Sequence, residues 1–143
     1  IQQVGAPMKL YDQPANLFVA EFLGTANIVQ GEVTANDGRR WFTGEDGWHI
    51  QLPQSLKAGG RGSLVFRPQN VAVSAADEQP RQSELLGQIE YREFLGSFLR
   101  YGVKVGTNRV LVDEHHRQGV SPLQSGQRVS LSVDADSLVW IPR

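Results

Sequence analysis

The sequence predicts an all-β barrel or sandwich built from two diverged β units, with a short helical segment ahead of it. Two observations carry the prediction. From Asn27 onward, apolar and polar residues alternate with a period of two in one segment after another, and Gly, Asn, Asp or Pro interrupts the pattern roughly every ten residues. The chain also matches itself at a displacement of 67 residues, which a duplicated β unit explains.

The helical expectation comes first in chain order. Over 14–23, Pro14 suits a first-turn position and Gly24 a left-handed stop, while Phe18/Phe22 and Val19/Leu23 form pairs four residues apart. Asn16 and Glu21 would face water, and a shorter helical turn over about 8–13 precedes this segment. After Gly24 the period changes to two. "NIVQGEVTA" reads as a strand running into the turn signal Asn36-Asp37-Gly38, and "WHIQL" reads as another. "GQIEYREF" and "NRVLVDE" alternate in the same way.

In "SFLRYGVKVG", Leu99, Tyr101, Val103 and Val105 share one face, against Phe98, Arg100, Gly102 and Lys104. In "QRVSLSV", Val129, Leu131 and Val133 oppose Arg128, Ser130 and Ser132.

The repeat sets "LKAGGRGSLVFRPQNVAV" from Leu56 beside "LQSGQRVSLSVDADSLVW" from Leu123. Upstream, Gly31-Glu32-Val33 matches Gly87-Gln88-Ile89 at a displacement of 56, so the second copy carries 11 extra residues. The polar, Pro-containing stretch 75–84 is the natural joint, giving units of about 27–75 and 84–143.

Composition narrows the function classes. A chain of 143 residues is long enough for a real core, and a net charge of −1 gives no electrostatic case for nucleic acid as a partner. No cysteine is present, which removes disulfides and thiolate metal sites together. No run of about 18 apolar residues exists to span a bilayer, and the first ten residues lack the basic and apolar regions of a signal peptide. Ile1 is not a start residue, so a piece of a longer protein is expected.

Candidate chemistry is sparse. His115-His116 beside Asp113 and Glu114 is the one cluster resembling metal ligands, but adjacent strand residues point to opposite faces, which favours a solvated strand end. His49 reads as a sheet-surface residue. "KAGGRGS" has a phosphate cradle's glycines without the Lys-Ser/Thr ending or a following helix, and reads as a turn. No serine lies in a nucleophile elbow. Trp41, Trp48, Trp140, Tyr91 and Tyr101 fall on β segments, where an OB-type barrel could use them for stacking on a ligand or for its own packing.

Residues "QVGAP" and "LYDQPANLFVAEFLGTAN" resemble the junction in ATP-binding subunits of ABC importers of the maltose, polyamine, ferric-iron and sulfate type, where the nucleotide-binding domain leads into a C-terminal β extension called TOBE. "FRPQNVAVS", "EFLGSFLRYGVKV" and the ending "LQSGQRVSLSVDADSLVWIP" are similar to that extension's signatures, although Gln69 stands where the family commonly has Glu.

The resemblance implies an OB-like (MOP/TOBE-type) barrel over 27–143 and a helical end of the nucleotide-binding domain over 1–26. It implies a cytoplasmic protein, held at the inner face of the bacterial plasma membrane by its parent complex. The implied partners are a second copy, the chain's own nucleotide-binding domain and the membrane permease subunits. No cofactor is expected in this chain, because ATP and Mg would bind the nucleotide-binding domain, and no catalytic residue is expected either. The residues implied for an interface or small pocket are Arg67, Pro68, Leu95, Gly96, Ser97, Arg100 and Tyr101. A sensor for an oxyanion or the transported solute is the alternative, with Ser97, Ser130 and Ser132 as candidate contacts.

Overall fold

The computed structural model describes residues 25–44, 48–76, 85–115 and 122–143. Strand β1 (Asn27–Asn36) turns at Asp37-Gly38 into β2 (Arg39–Gly44). Both turn residues have positive φ, 53° and 75°, as a two-residue hairpin turn matched to strand twist requires. Strand β3 (His49–Leu52) returns beside β2, and β4 (Arg61–Phe66) pairs on the other side of β1. A 3-10 turn at Pro68–Asn70 leads to β5 (Val71–Ala75).

The second unit repeats the series. It has β6 (Leu85–Phe94), β7 (Phe98–Val105), β8 (Asn108–His115), β9 (Arg128–Val133), a 3-10 turn at Ala135–Ser137, and β10 (Val139–Pro142). The ladder registers keep both displacements read in the sequence: Gly31 faces Gly62, while Gly87 faces Val129, 56 and 67 residues further on.

The two five-stranded sheets run β10-β4-β1-β2-β3 and β5-β9-β6-β7-β8. Each unit therefore sends its last strand into the other unit's sheet: β5 pairs with β9, and β10 pairs with β4. In the second sheet β5 also lies against β8, which curls the sheet towards closure. The architecture is the expected OB-like barrel of two diverged units. The helical segments expected over 8–13 and 14–23 lie outside the described residues, as do most of the expected joint and His116.

One core joins the units. Trp48, Phe42, Phe66 and Leu64 from the first unit meet Tyr101, Ile89, Val103 and Leu131 from the second. The inward residues are those the period-two pattern selects, Leu99, Tyr101, Val103 and Val105 on β7 among them. Trp48 packs on Phe66 with ring centroids 6.4 Å apart, and Phe42 meets Trp140 edge-on at 6.1 Å. Gly102, on the outer face of β7, is roofed by Tyr91, whose ring would clash with an added Cβ. The absence of a side chain at 102 thus gives Tyr91 its seat.

Candidate junction and interface site

The corner after β4 is built by Arg67 and Pro68. Arg67 is extended (φ −85°, ψ 150°), Pro68 presets the first position of the 3-10 turn, and the Asn70 N–H closes it on the Arg67 carbonyl at 3.0 Å. Arg67 is only 7% exposed, and its Nη1 donates to the Thr25 carbonyl at 3.1 Å. The equivalent residue of the second unit, Asp134, instead caps its own 3-10 turn, accepting from the Asp136 N–H at 3.2 Å. The first copy has thus exchanged a local cap for a hold on the chain ahead of β1.

Asn27 completes that hold. Its side chain is buried, its Nδ2 donates to the Leu111 carbonyl at 2.9 Å, and its Oδ1 accepts from the Leu111 N–H at 2.8 Å. Leu111 lies on β8, an edge strand, and one amide side chain satisfies both of its backbone groups as a neighbouring strand would. The 3-10 turn at Pro68–Asn70 packs on β8 too. Residues 25–27 are therefore tied to both units.

Leu95, Gly96 and Ser97 form the β6–β7 turn. Gly96 has φ +85°, and the Leu95 N–H bonds the Phe98 carbonyl at 2.9 Å. Phe94 and Leu95, at 61% and 37% exposed, make this tip apolar.

Arg100 points outward from β7 and grips Asp113 of β8 with two bonds, Nε to Oδ1 at 2.8 Å and Nη2 to Oδ2 at 3.0 Å. That pairing raises the Arg100 guanidinium's pKa, so the cation is held. Tyr101 points inward, 1% exposed, and its hydroxyl accepts from the Leu123 N–H at 3.2 Å. Burial pushes its phenol pKa up. The seven sequence-derived residues thus occupy the β4 corner, the β6–β7 tip and the two faces of β7.

The other candidates are placed as follows. Ser97 and Ser132 are exposed, while Ser130 is buried on β9. Asp113 is committed to Arg100, and among the described residues no group of three metal-ligating side chains gathers. Trp41, Trp48 and Tyr101 are buried, and exposed His49 stacks flat on Trp41 at 4.3 Å. Segment 53–58, leading into the "KAGG" turn, is tied by a residue the sequence reading passed over. Arg40 donates to the carbonyls of Pro53, Leu56 and Ala58 at 2.9, 2.6 and 3.0 Å. Asn27 was also passed over; nothing in a sequence links it to a strand 84 residues away. A concavity of about 620 Å³ on the outer face of the first sheet is lined by Arg61, Ser63, Thr43, Glu32 and Arg143. No helix among the described residues is long and apolar enough to cross a membrane.

Comparison with known proteins bears on this arrangement. Residues 64–141, more than half of the chain, match the TOBE domain family. Among similar proteins, the Fe(3+) ions import ATP-binding protein FbpC of Rhizobium etli is 30% identical over 115 residues, covering 80% of this chain and 31% of that protein. The spermidine/putrescine import ATP-binding protein PotA of Mannheimia succiniciproducens is 32% identical over 115 residues, covering 78% and 31%. The uncharacterized ABC transporter ATP-binding protein YurJ of Bacillus subtilis is 31% identical over 149 residues, covering 98% and 40%. The chain spans about a third of the length of the relatives it matches. Among solved structures, the cytoplasmic molybdate-binding protein ModG, crystallised with molybdate bound, superposes with a TM-score of 0.66 at 16% identity, covering 82% of this chain and 96% of that one. That likeness is one of fold. The chain belongs to the TOBE domain family, as it occurs in the ATP-binding subunits of ABC importers.

Proposed function

We propose that this domain is the accessory and regulatory part of an ABC importer's ATP-binding subunit, supporting the pairing of two subunits while their nucleotide-binding domains open and close. The observation that carries the reading is the family match over 64–141, together with importer ATP-binding proteins as relatives. In this reading the domain is not catalytic and takes no cofactor, since ATP and Mg belong to the nucleotide-binding domain. The parent sits in the cytoplasm against the inner membrane face, with its permease subunits. Two copies would meet through a self-complementary patch, and the exposed Phe94-Leu95 tip with Gly96 and Ser97 is the apolar surface suited to that.

A second reading, an oxyanion sensor, is favoured by the fold shared with molybdate-bound ModG and by the concavity carrying Arg61, Ser63 and Arg143. Calorimetric titration of the domain with molybdate, tungstate, sulfate and phosphate separates the two. Absence of heat at micromolar ligand accords with the scaffold, and saturable heat would replace it with the sensor.

A further inference from the structure

Arg40 brings a charge that its place in the fold does not require. Half-buried at the start of β2, it donates to the carbonyls of Pro53, Gln54, Leu56 and Ala58, and among the described residues it meets no carboxylate. A cavity of about 350 Å³ opens here, lined by Arg40 together with exposed Arg39 and Lys57 and with Gln51 and Gln54. No lining residue is acidic, and neither Arg39 nor Lys57 forms an ion pair among the described residues.

The second unit shows the same place without this surplus. Val33 faces Phe42 as Ile89 faces Val103, and Phe42 faces Ile50 as Val103 faces Val110. Those registers carry Arg39 onto Arg100, Arg40 onto Tyr101 and Pro53 onto Asp113, while the displacement of 67 carries Lys57 onto Gln124. There Arg100 is neutralised by two bonds to Asp113, and uncharged Tyr101 ties the matching loop through the Leu123 N–H. The fold thus needs a tether at this position and no net charge, yet the first unit keeps three cations and no acid.

We propose that this cavity binds a phosphate group, held by Arg39, Arg40 and Lys57. A lone exposed cation is simply hydrated, but three around one concavity raise a positive potential that a compact multivalent anion lowers. A phosphate monoester carries about −1.5 to −2 charges near pH 7 and three strong acceptor oxygens, whereas a carboxylate would leave most of the three charges unanswered. Arginine forks suit phosphate oxygens, and the Gln51 and Gln54 amides add neutral donors to the same lining. The volume lies at the small end of the roughly 300–1,000 Å³ of ligand pockets, which fits one phosphate group with little attached to it. The site shares no lining residue with the concavity of Arg61, Ser63 and Arg143, and the inference is independent of the function proposed above.

Amide NMR of the full 143-residue protein, titrated with inorganic phosphate at an ionic strength held constant with chloride, tests the site. The expected result is a set of saturable shifts at the Gly38, Gln51, Gln54 and Lys57 amides in the millimolar range, above the micromolar range of an oxyanion sensor. Arg39→Gln and Lys57→Gln, both at exposed positions, should each weaken binding about threefold and together about tenfold, while Arg61→Gln leaves it unchanged. Shifts that fail to saturate, equal affinity in the double variant, or loss of binding with Arg61→Gln would overturn the proposal. Co-sedimentation with phosphatidylcholine vesicles containing phosphatidic acid then distinguishes the sources. Pelleting that the double variant loses supports a lipid headgroup as the supplier of the phosphate, and saturable shifts without pelleting support a soluble phosphate ester.

Discussion

Replacing Asn27 by alanine removes two bonds at once and leaves Leu111 of β8 with an N–H and a carbonyl unanswered. A stranded backbone group costs about 1–3 kcal/mol when buried. Leu111 is half-buried, which favours the lower part of that range, so the two together should cost about 2–4 kcal/mol. Set against a stability of about 5–15 kcal/mol for a typical domain, this is a large fraction. With a urea slope of about 2 kcal/mol/M, the unfolding midpoint should fall by roughly 1–2 M. Urea titration by fluorescence measures the shift, and hydrogen exchange at the Leu111 amide locates it. A midpoint within about 0.3 M of the parent, with unchanged exchange at Leu111, would show that the clasp carries no such energy and would refute the reasoning.

Other outcomes follow from the same geometry. Burial raises the Tyr101 phenol's pKa, so its contribution to stability is complete below the ordinary tyrosine value of 10.0 and is lost as pH rises through the folded-state value. Tyr101→Phe should therefore flatten the alkaline loss of stability in urea titrations from pH 8 to 11, while costing about 0.5–1.5 kcal/mol near neutrality for the bond to Leu123. Gly102→Ala should drive the Tyr91 ring from its seat and cost about 1–3 kcal/mol, and Tyr91→Ala in the same chain should recover part of that loss, a coupling that a double-mutant cycle reads directly. Phe94→Ser with Leu95→Ser should weaken self-association at least tenfold by sedimentation while leaving the unfolding midpoint nearly unchanged, because both side chains are exposed.

What the sequence could disclose here was local or periodic. Alternation over "SFLRYGVKV" named the inward residues of β7 because a strand's period depends only on neighbouring positions. The Asp37-Gly38 hairpin was legible because positive φ at two adjacent residues restricts their identity. The duplication was visible, but the exchange of β5 and β10 between sheets was not, since pairing of Val71 with Val133 is a matter of topology with no local signature. The candidate site was less legible still. Arg67 stands among the interface candidates in the sequence, yet its partner Thr25 and the clasp from Asn27 to Leu111 join positions 42 and 84 apart. Tyr101 followed its period into the core, while Arg100 beside it followed the same period outward to Asp113.

Sedimentation equilibrium of the purified domain over a wide concentration range tests most directly the claim that this is a pairing module without catalytic machinery of its own. The account predicts a reversible monomer–dimer equilibrium that is insensitive to added ATP. A strictly monomeric species at every concentration, or turnover of ATP by the same sample, would contradict it.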